Sequence, residues 1–234
     1  DTHPDDGNDK ITSGDGDDFI ASGTGDDTIK AGNGNNLVIG GSGDDKITTG
    51  SGNDIINIDG VYVEDGVGGE GNDTIRAGAG NDYIVLGSGH DKVWGGSGSD
   101  AFVFDTLPSG STTSTTQNPD GSVTVKTLIH QIRDFDAGSD GGTVDTIVFD
   151  TSKFSAFVGE EDEITFSATN FVKGRGLNAA SSNETGVDDY LIFDTRSGKL
   201  YYDADGSATE HGSVLIAVIK GKTSDLNFED FDFI

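Results

Sequence analysis

Between residues 4 and 103 an apolar side chain recurs at every ninth position, flanked on each side by polar or small residues. Ile11, Ile20, Ile29, Val38, Ile47 and Ile56 mark six repeats over 4–57, and Ile75, Ile84, Val93 and Phe102 mark four more over 68–103. Self-similarity at a fixed period is the mark of a repeat architecture. Each x-U-x triplet predicts a short strand whose central side chain points to one face. The other six residues of each repeat carry glycine at the fourth position: Gly7, Gly16, Gly25, Gly34, Gly43, Gly52, then Gly71, Gly80, Gly89 and Gly98. Glycine admits positive φ, so a six-residue segment with two of them turns tightly and aims its carbonyls inward. Two repeats therefore close one coil, with the apolar residues of its two strands facing each other across a thin core. One full coil later the chain lies above itself. The pattern predicts an all-β fold that begins with a parallel β-roll over 1–103.

The sixth position is acidic in all but one repeat: Asp9, Asp18, Asp27, Asn36, Asp45, Asp54, then Asp73, Asp82, Asp91 and Asp100. Stacked strands lie about 4.8 Å apart. Equivalent positions two repeats apart thus form columns, Asp9, Asp27, Asp45 on one edge and Asp18, Asn36, Asp54 on the other. Carboxylates about 5 Å apart repel by roughly 1 kcal/mol in water and several times more at lower effective dielectric. The whole chain repeats the problem: 42 Asp and Glu against 14 Lys and Arg give a net charge of −28. A hard divalent cation with oxygen ligands removes the repulsion, and carboxylates with turn carbonyls supply the oxygens that calcium prefers. Magnesium, which demands octahedral geometry and keeps its water, fits less well.

Composition changes the picture only at its margins. The 37 glycines and 32% hydrophobic content would suit a disordered chain were it not for the periodicity. A chain this acidic lacks the basic clusters that neutralise phosphates, which excludes nucleic acid as a partner. There is no cysteine, hence no disulfide, and no methionine, so that with Asp1 at the start the sequence reads as a portion of a longer product. No stretch reaches the roughly 20 apolar residues of a membrane helix, and no N-terminal signal-peptide pattern is present.

Residues 58–67, "IDGVYVEDGV", interrupt the repeats, are one residue longer than one of them and lack the fourth-position glycine. They read as a surface excursion rather than a bulged coil. Beyond 103 the composition shifts: twelve of the thirteen phenylalanines lie past residue 100. Residues 108–122 are polar and turn-rich. The strand patterns "VTVKTLIHQI", "DTIVFD", "EITFS", "DDYLIFD", "KLYYDADG" and "SVLIAVIKG" follow. With a hairpin across Thr195 to Gly198, 104–234 is expected to form a mostly antiparallel, sandwich-like half capping the roll.

The nonapeptides resemble the G-G-x-G-x-D-x-U-x repeat of the RTX family, most clearly at Gly40, Gly41, Gly43, Asp45, Ile47 and at Gly95, Gly96, Gly98, Asp100. The resemblance implies that each ion sits between turns n and n+2, held by carbonyls of the first four turn positions and by both sixth-position carboxylates. It assigns metal binding to all the sixth-position residues named above. It adds the turn residues Gly23, Gly25, Gly32, Gly34, Gly40, Gly41, Ser42, Gly43, Gly50 and Gly52. In the second run it adds Gly69, Gly71, Gly78, Gly80, Gly87, Gly89, Gly95, Gly96 and Gly98, for roughly six to eight calcium ions in all. Asn36 departs from the pattern and implies sites weaker in charge. Pro4 and Asp5, where glycines are expected, imply an end cap or a frayed first turn. "DAFVF", "IRDFDAGSDGGTVDTIVFDTSKFSAF", "LIFDTRSGKLYYDADGSATEHGSVLIAVIKG" and the terminal "FEDFDFI" are similar to the C-terminal region of serralysin-type exoproteins. That likeness implies an uncleaved signal for type I secretion, with export of the unfolded chain from a Gram-negative cell, C-terminus first.

Catalytic constellations are absent: there is no H-E-x-x-H and no G-x-S-x-G, and the glycines at 66, 68, 71 and at 174, 176 lack the strand-to-helix context of a nucleotide site. His3, His90, His130 and His211 are scattered and read as solvated or strand-surface residues. "DADG" at 203–206 reads as a turn, while Asp134, Asp136 and Asp140 are candidates to close the last ion sites. Trp94 should face outward. The expectation is a noncatalytic, monomeric calcium-binding module of a secreted or cell-surface bacterial protein. It would be disordered at low calcium, fold outside the cell, and work with the type I secretion machinery. The alternative is an adhesion or polysaccharide-binding module, which a cluster of Trp94, Tyr83 and Tyr62 would favour.

Overall fold

The computed structural model describes residues 7–57, 69–106, 113–117, 123–127, 129–138, 143–154, 157, 166–178, 190–204 and 213–234. The repeats fold into β1 (Lys10–Thr12), β2 (Phe19–Thr24), β3 (Thr28–Gly32), β4 (Leu37–Ser42), β5 (Lys46–Thr49) and β6 (Ile55–Ile56). After the interruption come β7 (Glu70–Gly71), β8 (Thr74–Ala79), β9 (Tyr83–Val85), β10 (Ser88–Gly89), β11 (Lys92–Ser97) and β12 (Ala101–Phe104). The rest of the chain supplies β13 (Thr113–Gln117), β14 (Val123–Thr127), β15 (His130–Asp136), β16 (Thr146–Phe149) and β17 (Phe171–Gly174). It ends with β18 (Leu191–Asp194), β19 (Lys199–Tyr202), β20 (Val214–Lys222) and β21 (Phe231–Phe233).

Successive repeats alternate between two sheets, as a two-repeat coil requires. One sheet runs β1-β3-β5-β8-β11-β15-β20-β19-β18-β17, the other β10-β7-β4-β6-β9-β12-β16-β21 with β2 on β4. Ile11 stands on Ile29, Ile29 on Ile47 and Ile20 on Val38, all in parallel register. Across the interruption the register simply continues: Lys46 stands on Thr74 and Ile55 on Tyr83. Residues 58–67, with the candidate Tyr62 among them, and the candidate Asp140 lie outside the described residues. Between the sheets the apolar positions from Ile29 to Phe102 are fully buried, while Ile11 at the open end is half-buried.

The expectation of a mostly antiparallel second half needs correcting. Among the described residues, β15 pairs with β11, β16 with β12, β20 with β15, β21 with β16 and β17 with β18 in parallel. Antiparallel pairing is confined to β13 with β14, β18 with β19 and β19 with β20. The reason lies in spacing. Gln131-Ile132-Arg133 and Thr146-Ile147-Val148 keep the x-U-x pattern, so each docks its inward residue on the parallel edge left by the last repeats, Val93 on Ile132 and Phe102 on Ile147. Reversal occurs at the Thr195 to Gly198 turn, where Gly198 has φ +75° and its N–H bonds Asp194 O at 2.8 Å. The thin aliphatic core widens there into an aromatic one. Phe149 meets Phe104 at 5.4 Å, Phe154 at 4.8 Å and Phe157 at 5.1 Å between ring centroids.

Candidate metal centres

The sixth-position residues line the two edges of the roll as hydrogen-bonded ladders. On the edge preceding the ten-stranded sheet, the N–H of Asp9 donates to Asp27 Oδ1 (2.8 Å), Asp27 to Asp45 (2.9 Å), Asp45 to Asp73 (2.8 Å) and Asp73 to Asp91 (2.8 Å). On the other edge Asp18 donates to Asn36 Oδ1 (3.1 Å), Asn36 to Asp54 (2.8 Å), Asp54 to Asp82 (2.8 Å) and Asp82 to Asp100 (3.0 Å). One side-chain oxygen of every rung after Asp9 and Asp18 is thereby used. The second is a different matter: Oδ2 of Asp9, Asp27, Asp45, Asp54, Asp82 and Asp100 is buried and has no hydrogen-bond partner. Five of these side chains are at most 2% exposed.

An unpartnered buried carboxylate oxygen is costly, and proteins relieve it by protonation or by a cation. Burial pushes Asp45 up to about 7, Asp82 to about 6 and Asp100 to about 6, with neighbouring aspartates adding to the rise. Burial, then Asp91, lifts Asp73 to about 8. The donor set fits a hard cation: two carboxylates per interval together with turn carbonyls. Among the described residues no group of three or more His, Cys, Asp or Glu side chains converges. The glycine pattern serves this arrangement. A methyl group at Gly40 would overlap Asp45 Oδ2, and one at Gly95 would overlap Asp100 Oδ2. Gly43, at φ +123°, lies so close to Gly25 O in the layer below that a methyl there would overlap it.

Not every rung is alike. Asn36 Nδ2 donates to Gly34 O (3.0 Å), Gly32 O (3.4 Å) and Asp54 Oδ1 (3.0 Å). Fully buried Asn57, the one described non-glycine residue at positive φ (59°), accepts from Gly40 N–H (3.0 Å) and reaches Asp73 Oδ2 through Nδ2 (3.4 Å). His130 is 3% exposed, and its Nδ1 stands 3.0 Å from Asp91 Oδ2. A surface role for His130 is thus corrected: register puts Gln131 on Lys92, and so His130 occupies the next sixth position. The clue was present in "HQIR", which repeats the D-x-U-x spacing of "DKVW".

Of the candidates beyond the repeats, Asp134 accepts from Gly95 and Gly96 N–H, both at 3.1 Å, and caps the last turn. Asp136 is drawn to the surface by Lys222 at 2.8 Å, which holds its pKa below the usual range. Asp145, which sequence reasoning passed over, extends the second ladder by accepting from Asp100 N–H (2.9 Å), and burial lifts it to about 7. Its sign was again D-x-U-x, in "DTIV". Also overlooked was the fifth position, where Asp17, Asp26, Asn35, Asp44, Asn53 and Asn81 accept N–H bonds of 2.7–2.9 Å from the layer above. Trp94 faces outward beneath the guanidinium of Arg76 at 4.2 Å, with Arg133 at 5.7 Å. Tyr83 lies in the other sheet, so the two aromatics do not share a surface.

Three segments, 5–29, 22–56 and 67–102, match the RTX calcium-binding nonapeptide repeat. No curated protein matches the chain. Among solved structures it is similar to the AlgE6R3 subunit of the Azotobacter vinelandii mannuronan C5-epimerase, at 24% identity over 82% of this chain and 80% of that one, TM-score 0.38. The AlgE6R2 subunit is similar at 17% identity over 94% and 90%, TM-score 0.33. The extracellular lipase LipA of Serratia marcescens is similar at 17% identity over 99% of this chain and 40% of that one, TM-score 0.31. No helix among the described residues is long and apolar enough to cross a membrane. The repeat match lies on the residues whose carboxylates form the two ladders, so that residues 5–56 and 67–102 are similar to RTX calcium-binding nonapeptide repeats.

Proposed function

We propose that this chain is a noncatalytic module of a secreted bacterial protein, unfolded where calcium is scarce and folded by calcium outside the cell. The supporting observation is the set of six buried, unpartnered Oδ2 atoms along the two ladders. Without a counterion these carboxylates oppose the stacking of coils. With one, cation binding to the folded form alone contributes stability as the ligand concentration exceeds its dissociation constant. Extracellular modules bind calcium at about 10⁻⁴ to 10⁻³ M, well above cytosolic levels, so the chain stays extended for type I export and folds afterwards. Asp9, Asp27, Asp45, Asp54, Asp82 and Asp100 hold the ions, with turn carbonyls completing each shell. The bound cation supplies charge neutralisation and no reaction chemistry.

The test is a calcium titration followed by circular dichroism, with magnesium in parallel. A cooperative gain of β signal at submillimolar to millimolar calcium, absent with magnesium, supports the reading. A chain already folded in chelator, or indifferent to which cation is added, overturns it.

A further inference from the structure

Granted the calcium reading, we propose that this chain closes three rungs of its ladders with its own nitrogen groups, Asn36, Asn57 and His130, so that cations occupy two runs offset along the roll. One run, Asp9, Asp27 and Asp45, lies on the first edge toward the N-terminal end. The other, Asp54, Asp82 and Asp100, lies on the opposite edge toward the C-terminal half.

The division follows from where the second carboxylate oxygen goes. In the six residues of the two runs it is buried and unpartnered. Everywhere else on the ladders it meets a group of the chain itself. Asp18 Oδ2 takes the hydroxyl of Ser13. Asp73 Oδ2 faces the Asn57 amide and Asp91 Oδ2 faces His130. The first edge is thus self-satisfied at its C-terminal end and the second edge at its N-terminal end.

Asn36 is the sharpest case, because its orientation is fixed from both sides. Its Oδ1 accepts the Asp18 N–H in the same way that Asp27, Asp45 and Asp54 Oδ1 accept from the rung before them. Its Nδ2 therefore stands where an aspartate would carry Oδ2, and its hydrogens point at the Gly32 and Gly34 carbonyls and at Asp54. Those carbonyls belong to the turn that would ligate an ion. Rotating the amide to offer oxygen would set NH2 against the Asp18 N–H, two donors face to face. A cation at this turn would meet N–H hydrogens, not a lone pair. The amide at Asn57 is fixed similarly, with Oδ1 held by Gly40 N–H and Nδ2 turned to Asp73.

The experiment compares calcium stoichiometry by native mass spectrometry and by isothermal titration for the wild-type chain, Asn36→Asp, Asn57→Asp and Asp45→Asn, with circular dichroism at saturating calcium as the check of folding. Replacing a closing amide by a carboxylate is expected to raise the count by at least one ion per chain, whereas Asp45→Asn lowers it. If the wild type binds calcium and Asp45→Asn loses ions while both amide variants keep the wild-type count, the nitrogen closure is overturned and the calcium reading stands. The closure is equally overturned if both amide variants fail to reach the wild-type β signal at saturating calcium. If the wild type binds no calcium, the calcium reading itself fails.

Discussion

At the scale of the residue, two glycines of the same repeat family face opposite circumstances. Gly40 sits at an ordinary φ, yet a methyl group there would overlap Asp45 Oδ2; a methyl at Gly7 would meet nothing within 4 Å. Alanine at Gly40 therefore displaces a carboxylate of the first cation run without straining the backbone, while alanine at Gly7 changes stability by a few tenths of a kcal/mol, as surface substitutions do. Gly40→Ala is expected to raise the calcium midpoint of folding several-fold and Gly7→Ala to leave it in place, both read from the circular dichroism titration. Equal midpoints would mean that Asp45 Oδ2 does not hold an ion. Sequence alone revealed both glycines as turn residues and could not separate them, because the difference lies in what the next layer brings near. The same holds for Asn36 and Asn57. An amide at a column position reads as a missing charge, and only the placement of its nitrogen among carbonyls shows it to be a substitute donor.

At the scale of the element, the strands of the repeats were fully legible, since an apolar residue every nine positions fixes both which side chain points inward and which strand lies above. The strands after Phe104 were legible as strands but not as neighbours. Ile132 and Ile147 carry the same inward spacing as the repeats, yet the fourth-position glycine of the nonapeptide is replaced by Leu128 and Thr143, and pairing direction is set by connections that leave no periodic mark. The edge strands β11 and β12 are covered by β15 and β16, so the aromatic cluster around Phe149 braces the same sheets that carry the ladders. Truncating such a fully buried ring costs about 3–5 kcal/mol. Phe149→Ala should lower the urea midpoint at saturating calcium and also raise the calcium needed to fold the roll, because the two sheets run through both halves. A variant that loosened only the C-terminal strands, with the repeat signal and its calcium midpoint unchanged, would show the two parts to fold independently.

For the whole molecule, the balance between protons and cations sets when the roll exists at all. Burial holds Asp45, Asp73 and Asp145 at about 7, 8 and 7, and Asp82 and Asp100 at about 6, against an ordinary 3.8. A folded-state pKa above the unfolded value means that the folded form keeps protons the unfolded chain has released. Its stability without cations is thus fully present below about 4 and is lost as pH rises through 6 to 8. In chelator, β signal should therefore grow as the solution is taken from pH 8 to pH 5. Calcium acts on the same balance, because the unfolded chain that it folds is already ionised at these pH values. The calcium midpoint of the β signal should therefore fall as pH drops from 8 to 6, because protons held by the folded carboxylates supply part of the stability that calcium otherwise supplies. The net charge of −28 adds a second, screened repulsion, which salt weakens without distinguishing cations. Titrations at matched ionic strength separate the two: a midpoint that follows salt but not pH would assign the calcium requirement to overall charge, whereas one that follows pH at fixed salt assigns it to the buried ladders.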